Sequence, residues 1–145
     1  MTFKEILDLT SLEKGIASLN RAINVYKDTK QRVDYDVPDL VETLRAGVIQ
    51  SFEFTYELSW KFMKRWVEEN GVALSVDGVT RRELFRIAAE HLLINDVDQW
   101  MSFHKDRNLT SHTYDEETAE SICAVAFEFR EYAEDLLAKL QEKNS

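Results

Sequence analysis

Residues 38–70 read PDLVETLRAGVIQSFEFTYELSWKFMKRWVEEN, and this stretch decides the fold. Pro38 stands where proline is tolerated, in the first turn of a helix, with Asp36 as the expected cap. The pattern then runs to Asn70, and Gly71 is the expected left-handed residue that closes it. About 31 residues rising ~1.5 Å each make a rod of about 46 Å. A domain of this length has a radius of gyration of about 15 Å, so the rod spans the molecule and predicts an elongated bundle. Leu40, Leu44, Val48, Phe52, Tyr56, Trp60 and Met63 mark its main buried line. Phe54, Leu58, Phe62, Trp66 and Val67 widen the apolar surface. A helix apolar on two sides packs against more than one neighbour, and a second protomer is a candidate for one of them.

The flanking segments carry the same helical period. Thr10 and Glu13 read as a capping box, followed by Leu12, Ile16, Leu19, Ile23 and Tyr26 on a helix ending near Asp28. Residues 29–37 and 72–79 read as loops, the second with a turn at Asp77-Gly78. Thr80 and Glu83 form a second capping box, opening a short helix through Leu84, Ile87, Ala88 and Leu92. Asn95 or Asp96 starts another short segment with Val97, Trp100, Met101 and Phe103. Residues 105–113 interrupt the apolar pattern. Asp115 then caps a last helix marked by Ile122, Val125, Ala126, Phe129, Ala133, Leu136 and Leu140. The expectation is an all-α, up-and-down four-helix bundle with one extra short helix, elongated and homodimeric, in a single domain over residues 1–145.

Composition agrees. The chain of 145 residues is 44% hydrophobic and 31% charged, with four glycines and one proline, too little turn punctuation for a sandwich or barrel. Its 18 basic and 27 acidic residues leave a net charge of −9, so contact with RNA requires a local cluster of cations. Lys61, Lys64 and Arg65 on the long helix, with Arg107, are the candidates, although lysines there serve equally as a solvated face. Cys123 is the single cysteine, which excludes an internal disulfide and suits a reducing cytosol. The N-terminus carries Glu5, Asp8 and Glu13 and no signal-peptide core, and no apolar run is long enough for a membrane span, so a cytoplasmic location is expected.

Several chemistries are missing. Neither glycine-rich phosphate loop occurs, and His91, His104 and His112 lack the spacing of a helical zinc pair, so neither metal nor cofactor is expected. Asp34/Asp36 and Asp96/Asp98 form D-x-D strings without the Gly-Ser turn of a nucleotidyltransferase, and read as helix caps and solvated acids.

Arg107-Asn108-Leu109-Thr110-Ser111-His112-Thr113-Tyr114 is the specific stretch. It places a permanent cation, an amide, an imidazole that exchanges protons near neutral pH and a phenol within eight residues. On a continuous helix Arg107 and His112 would diverge by about 140°. They converge if the helix ends or bulges between them, or if each meets its counterpart across a two-fold axis. Such a set could cleave RNA, with His112 moving the 2′-hydroxyl or leaving-group proton, Arg107 stabilising the phosphate and Asn108 orienting it. It could equally cap carbonyls and pair with Asp106 or Asp115. Glu53 and Glu57 share the long helix with the aromatics; within a cleft they would pair with Arg107 or His112. Phe52, Tyr56, Trp60 and Trp66 read chiefly as core or interface, with base stacking on Trp60 or Trp100 as the alternative.

The string R-x-x-x-x-H-x-Y at Arg107, His112 and Tyr114 resembles the signature of the HEPN superfamily. Residues 51–61, SFEFTYELSWK, and 107–116, RNLTSHTYDE, resemble its HepT-like branch, also called nucleotidyltransferase substrate-binding proteins. The likeness runs from about Leu12 to Leu140. It implies a homodimeric helical bundle whose facing motifs form a ribonuclease cleft, with Arg107, Asn108 and His112 catalytic. It implies a toxin neutralised by a small MntA-like nucleotidyltransferase antitoxin that transfers AMP to Tyr114. Trp60, Lys61, Glu57 and Glu53 are the expected substrate-binding residues. The family's older reading, resting on its likeness to the helical domain of kanamycin nucleotidyltransferase, implies instead a non-catalytic substrate-binding subunit of a two-component nucleotidyltransferase.

Overall fold

A computed structural model describes residues 6–32, 38–70 and 78–144. They form α1 (Thr10–Arg32), α2 (Pro38–Glu69), α3 (Arg81–Glu90), α4 (Val97–Asn108), a 3₁₀ turn (Leu109–His112) and α5 (Glu116–Lys143). The long helices α1, α2 and α5 pack on one another, and the shorter pair α3 and α4 closes the bundle against α2. The all-α architecture agrees with the periodicity. Asp34, Asp36, Gly71 and Asp77 lie outside the described residues.

Local signals account for most helix starts. Thr80 accepts from Glu83 N at 3.1 Å, Asp96 from Gln99 N at 3.0 Å and Asp115 from Thr118 N at 3.1 Å, each satisfying an amide that the first turn leaves unpaired. The cap of α1 is displaced from the expected one. Asp8 accepts from Thr10 N at 3.0 Å, while the Leu9 carbonyl receives Glu13 N at 2.9 Å. Glu13 instead accepts from Gln141 on α5. α1 also runs past Asp28 to Arg32, and Lys30 in this added turn donates to the Tyr26 hydroxyl at 3.5 Å.

Two apolar assignments differ. Leu40, expected on the main buried line, is 47% exposed in the first turn of α2. Leu92, expected on the buried stripe of α3, is 65% exposed with φ of 63°. The amides of Leu92 and Leu93 bond back to the Ala89 and Ala88 carbonyls, the pairing that closes a helix through a left-handed residue. Leu93 then fills the core position.

The core centres on Phe129 of α5, whose ring meets Phe52 and Phe103 at 5.1 Å and Trp100 at 5.7 Å, all edge-on. This arrangement favours the rings' quadrupoles. It also fixes α4 against α2, which positions the site. Gly15 allows α1 to approach α2 closely: a Cβ there would meet Leu58 Cδ1 at 3.0 Å, and Thr55 donates its hydroxyl to the Gly15 carbonyl. Among the described residues no helix is long and apolar enough to cross a membrane.

Candidate functional site

The polar motif straddles a change of backbone. α4 ends at Asn108, and the 3₁₀ turn carries the chain through Thr110 to His112 before Asp115 caps α5. Arg107 therefore closes one helix, while His112 and Tyr114 lie on the connection to the next. The α-helix ends between Arg107 and His112, without a hydrogen bond between their side chains.

Glu53 and Glu57 stand one turn apart on α2 and present both carboxylates to this junction. Arg107 Nε donates to Glu57 Oε1 at 3.1 Å, and Nη2 lies 3.6 Å from Glu53 Oε1. Nη1 donates to Thr110 Oγ1 at 3.3 Å. The Thr110 hydroxyl has one proton for two acceptors, Glu53 Oε2 at 2.7 Å and the Arg107 carbonyl at 2.8 Å. The guanidinium is thus fixed on several sides, and its single charge faces two carboxylates.

The chain of contacts continues outward. Glu57 Oε2 accepts from the Trp60 indole N–H at 3.0 Å. The Arg81 guanidinium, at the start of α3, lies 3.4 Å from the centre of the Trp60 ring, and Lys61 Nζ lies 5.7 Å from it. Beneath them Tyr56 and His104 Nδ1 are 2.7 Å apart. Burial pushes the Tyr56 phenol well above its ordinary value. Burial, and after it the charge of Arg81, hold His104 below the ordinary histidine value. Both shifts favour the neutral pair, in which the phenol donates to the imidazole.

Asn108, His112 and Tyr114 are exposed, Tyr114 to 88%. The His112 and Tyr114 rings meet edge-on at 6.3 Å. Among the described residues, no hydrogen bond or ion pair joins the His112 side chain to Arg107, Glu53 or Glu57. Cavities of about 240 and 400 Å³ flank Glu53, one bounded by Arg45, Thr110 and Thr113, the other by Gly15, Ser18 and Phe54.

Residues 7–142 match the family described as nucleotidyltransferase substrate binding protein like. The chain belongs to that family. A curated relative from Haemophilus influenzae, named "Probable ribonuclease HepT", is 34% identical over 141 residues, covering 95% of this chain and 94% of its own. A solved Haemophilus influenzae structure, described as revealing the fold of a substrate binding domain of a nucleotidyltransferase, superimposes with a TM-score of 0.83. It is 34% identical and covers 92% of this chain and 99% of its own. A Thermus thermophilus crystal structure aligns at 26% identity with a TM-score of 0.69, covering 89% of this chain and 98% of its own.

Within this nucleotidyltransferase substrate-binding family member, the fold brings together Arg107, Glu53, Glu57 and Trp60. Of the two pairings open to the glutamates, the one formed is with Arg107. Among the described residues, Lys61 meets the group over the Trp60 ring. Lys64 forms an ion pair with Glu68 at 3.8 Å, and Arg65 lies over Phe62. Trp100 is 1% exposed and packed among Phe85, Phe103 and Phe129, which removes it as a stacking platform for a base. Thr110, Arg81, Tyr56 and His104 belong to the site without having been assigned to it from the sequence. His104 lies three residues before Arg107, one turn along α4, which was its only local signal. Arg81 carried none, because the ring it lies over, Trp60, is on a different helix.

Proposed function

We propose that the protein is a metal-independent ribonuclease of a toxin–antitoxin pair, acting as a homodimer. The observation that carries this reading is the contrast within one short motif: Arg107 is fixed by Glu53, Glu57 and Thr110, while His112 and Tyr114 stand exposed on the adjoining turn. A fixed guanidinium beside an accessible imidazole suits cleavage of a phosphodiester. His112 takes the proton of a ribose 2′-hydroxyl, the 2′-oxygen bonds to phosphorus, and the P–O5′ bond breaks as the 5′-oxygen takes a proton from water, giving a 2′,3′-cyclic phosphate. Arg107 offsets the charge that builds on the phosphoryl oxygens, and Asn108 orients the phosphate. The absence of a direct bond between Arg107 and His112 within one chain fits a cleft in which two motifs face each other across a two-fold axis. The name of the Haemophilus relative supports the same activity.

Tyr114 is the regulatory group in this reading. A small nucleotidyltransferase partner transfers AMP from ATP: the phenolic oxygen bonds to the α-phosphorus, pyrophosphate leaves and the phenolic proton passes to a base of the partner. The adduct puts negative charge and bulk two residues from His112, where it repels an RNA phosphate. The non-catalytic alternative, a subunit that presents a small substrate to such a partner, draws on the cavities beside Glu53 and on the description of the structural neighbour.

The test is cleavage of a labelled transfer-RNA pool in EDTA by unmodified dimer and by His112→Ala. Cleavage that disappears in the variant is expected. An inactive dimer whose intact mass carries no adduct would overturn the ribonuclease and favour the substrate-binding subunit.

A further inference from the structure

Arg107 poses an electrostatic problem for any RNA-binding reading. Its charge is faced by Glu53 and Glu57 together, so the motif's own cation is already offset in a protein of net charge −9. A further backbone phosphate beside the scissile one is held best by a guanidinium that no carboxylate hydrogen-bonds. Arg81 is one. Among the described residues it makes no hydrogen bond and no ion pair, and its Nε is buried without a partner. Its guanidinium carbon lies 3.4 Å from the centre of the Trp60 ring, a stacking contact that fixes its orientation and occupies the ring face of the guanidinium rather than its Nη donors. Lys61, exposed and without an ion pair among the described residues, brings a second cation over the same indole. Trp60 is in turn bonded to Glu57, which holds Arg107, so this pair of cations is one indole and one carboxylate away from the motif.

We infer that Arg81 and Lys61, mounted on Trp60, form a phosphate subsite for the backbone of single-stranded RNA beside Arg107. The inference deepens the ribonuclease reading and rests on it. Stacking on Trp60 has already restricted the Arg81 side chain, so an incoming phosphate oxygen meets a pre-oriented fork that no carboxylate hydrogen-bonds among the described residues, although the Glu57 charge acts on it from nearby. Lys61 adds charge rather than geometry. The subsite is blind to base identity and contributes affinity that weakens with salt.

The experiment measures binding, with cleavage read separately. Anisotropy of a labelled single-stranded RNA oligonucleotide is followed across a salt series for dimer carrying His112→Ala, alone and with Arg81→Gln, Arg81→Lys or Lys61→Gln. Losing one phosphate contact should lower the slope of log K against log salt by about 0.7. Arg81→Gln should weaken binding about tenfold at low salt, Arg81→Lys should recover part of it, and Lys61→Gln should weaken it by a smaller factor. Lys61 is an exposed side chain, so its variant remains informative if Arg81→Gln unfolds. An unchanged slope in both Gln variants would overturn the subsite while leaving the ribonuclease intact. Binding that depends on Arg81 in a protein that cuts no RNA would support the subsite and overturn the ribonuclease. Failure of the unmodified dimer to bind RNA at all would overturn both.

Discussion

The pair Arg107–Glu57 should be worth several times more than a pair of the same length at the surface. Two charges 3.1 Å apart attract by about 1.3 kcal/mol at a dielectric constant of about 80 and about 5 kcal/mol at about 20. The Arg107 and Glu57 side chains are 27% and 33% exposed, so solvent screens much of the upper figure. Glu57 also accepts from Trp60, and Arg107 also bonds to Thr110, so neither side chain is ordered for this contact alone. A coupling of about 1–2 kcal/mol is expected. Arg82–Asp98 supplies the control: its separation is 3.2 Å, but its side chains are 53% and 89% exposed, and its coupling should be about 0.3 kcal/mol. The assay is a double-mutant cycle by urea unfolding, with Glu57→Gln and Arg107→Gln for the first pair and Arg82→Gln and Asp98→Asn for the second. Equal slopes across the variants would show that compactness has not changed. Equal couplings for the two pairs would refute the reasoning, because burial and the shared partners would then have no effect on how firmly Arg107 is held.

Three further outcomes follow from the same structure. Phe129→Ala removes the ring on which Phe52, Trp100 and Phe103 converge and should cost about 3–5 kcal/mol in urea unfolding; a loss below about 2 kcal/mol would mean the core closes over the gap. Burial and the Arg81 charge lower His104 in the fold, so the unfolded chain takes up this proton first as pH falls. The contribution is intact above about pH 6.5, is lost as pH falls from there toward the folded value, and then levels off; His104→Gln should flatten that part of the curve, and a slope of the opposite sign in the parent would contradict the assignment. Cys123 is 2% exposed, with a thiol raised chiefly by burial, so a thiol reagent should label it slowly until urea opens the bundle, and fast labelling of native protein would contradict that burial.

What the sequence alone determined was local or periodic. Helical spacing marked the faces of α2 and α5, and side chains three residues from their target amides marked the caps at Thr80, Asp96 and Asp115. These signals are legible because partner and target sit within one turn of each other. The motif was legible for the same reason, since Arg107, His112 and Tyr114 fall within eight residues. Tertiary structure decided which of these groups act together. The pairing of Glu57 with Arg107 spans 50 residues, and that of Tyr56 with His104 spans 48, so both exist only because the aromatic core sets α4 against α2. The same packing buried Trp100, while the left-handed closure of α3 turned Leu92 outward; helical period alone distinguished neither from its neighbours. Arg81 is the sharpest case. Nothing near it in sequence points to Trp60, and its position over that ring follows from where α3 begins, a matter of how helices meet rather than of what each helix contains.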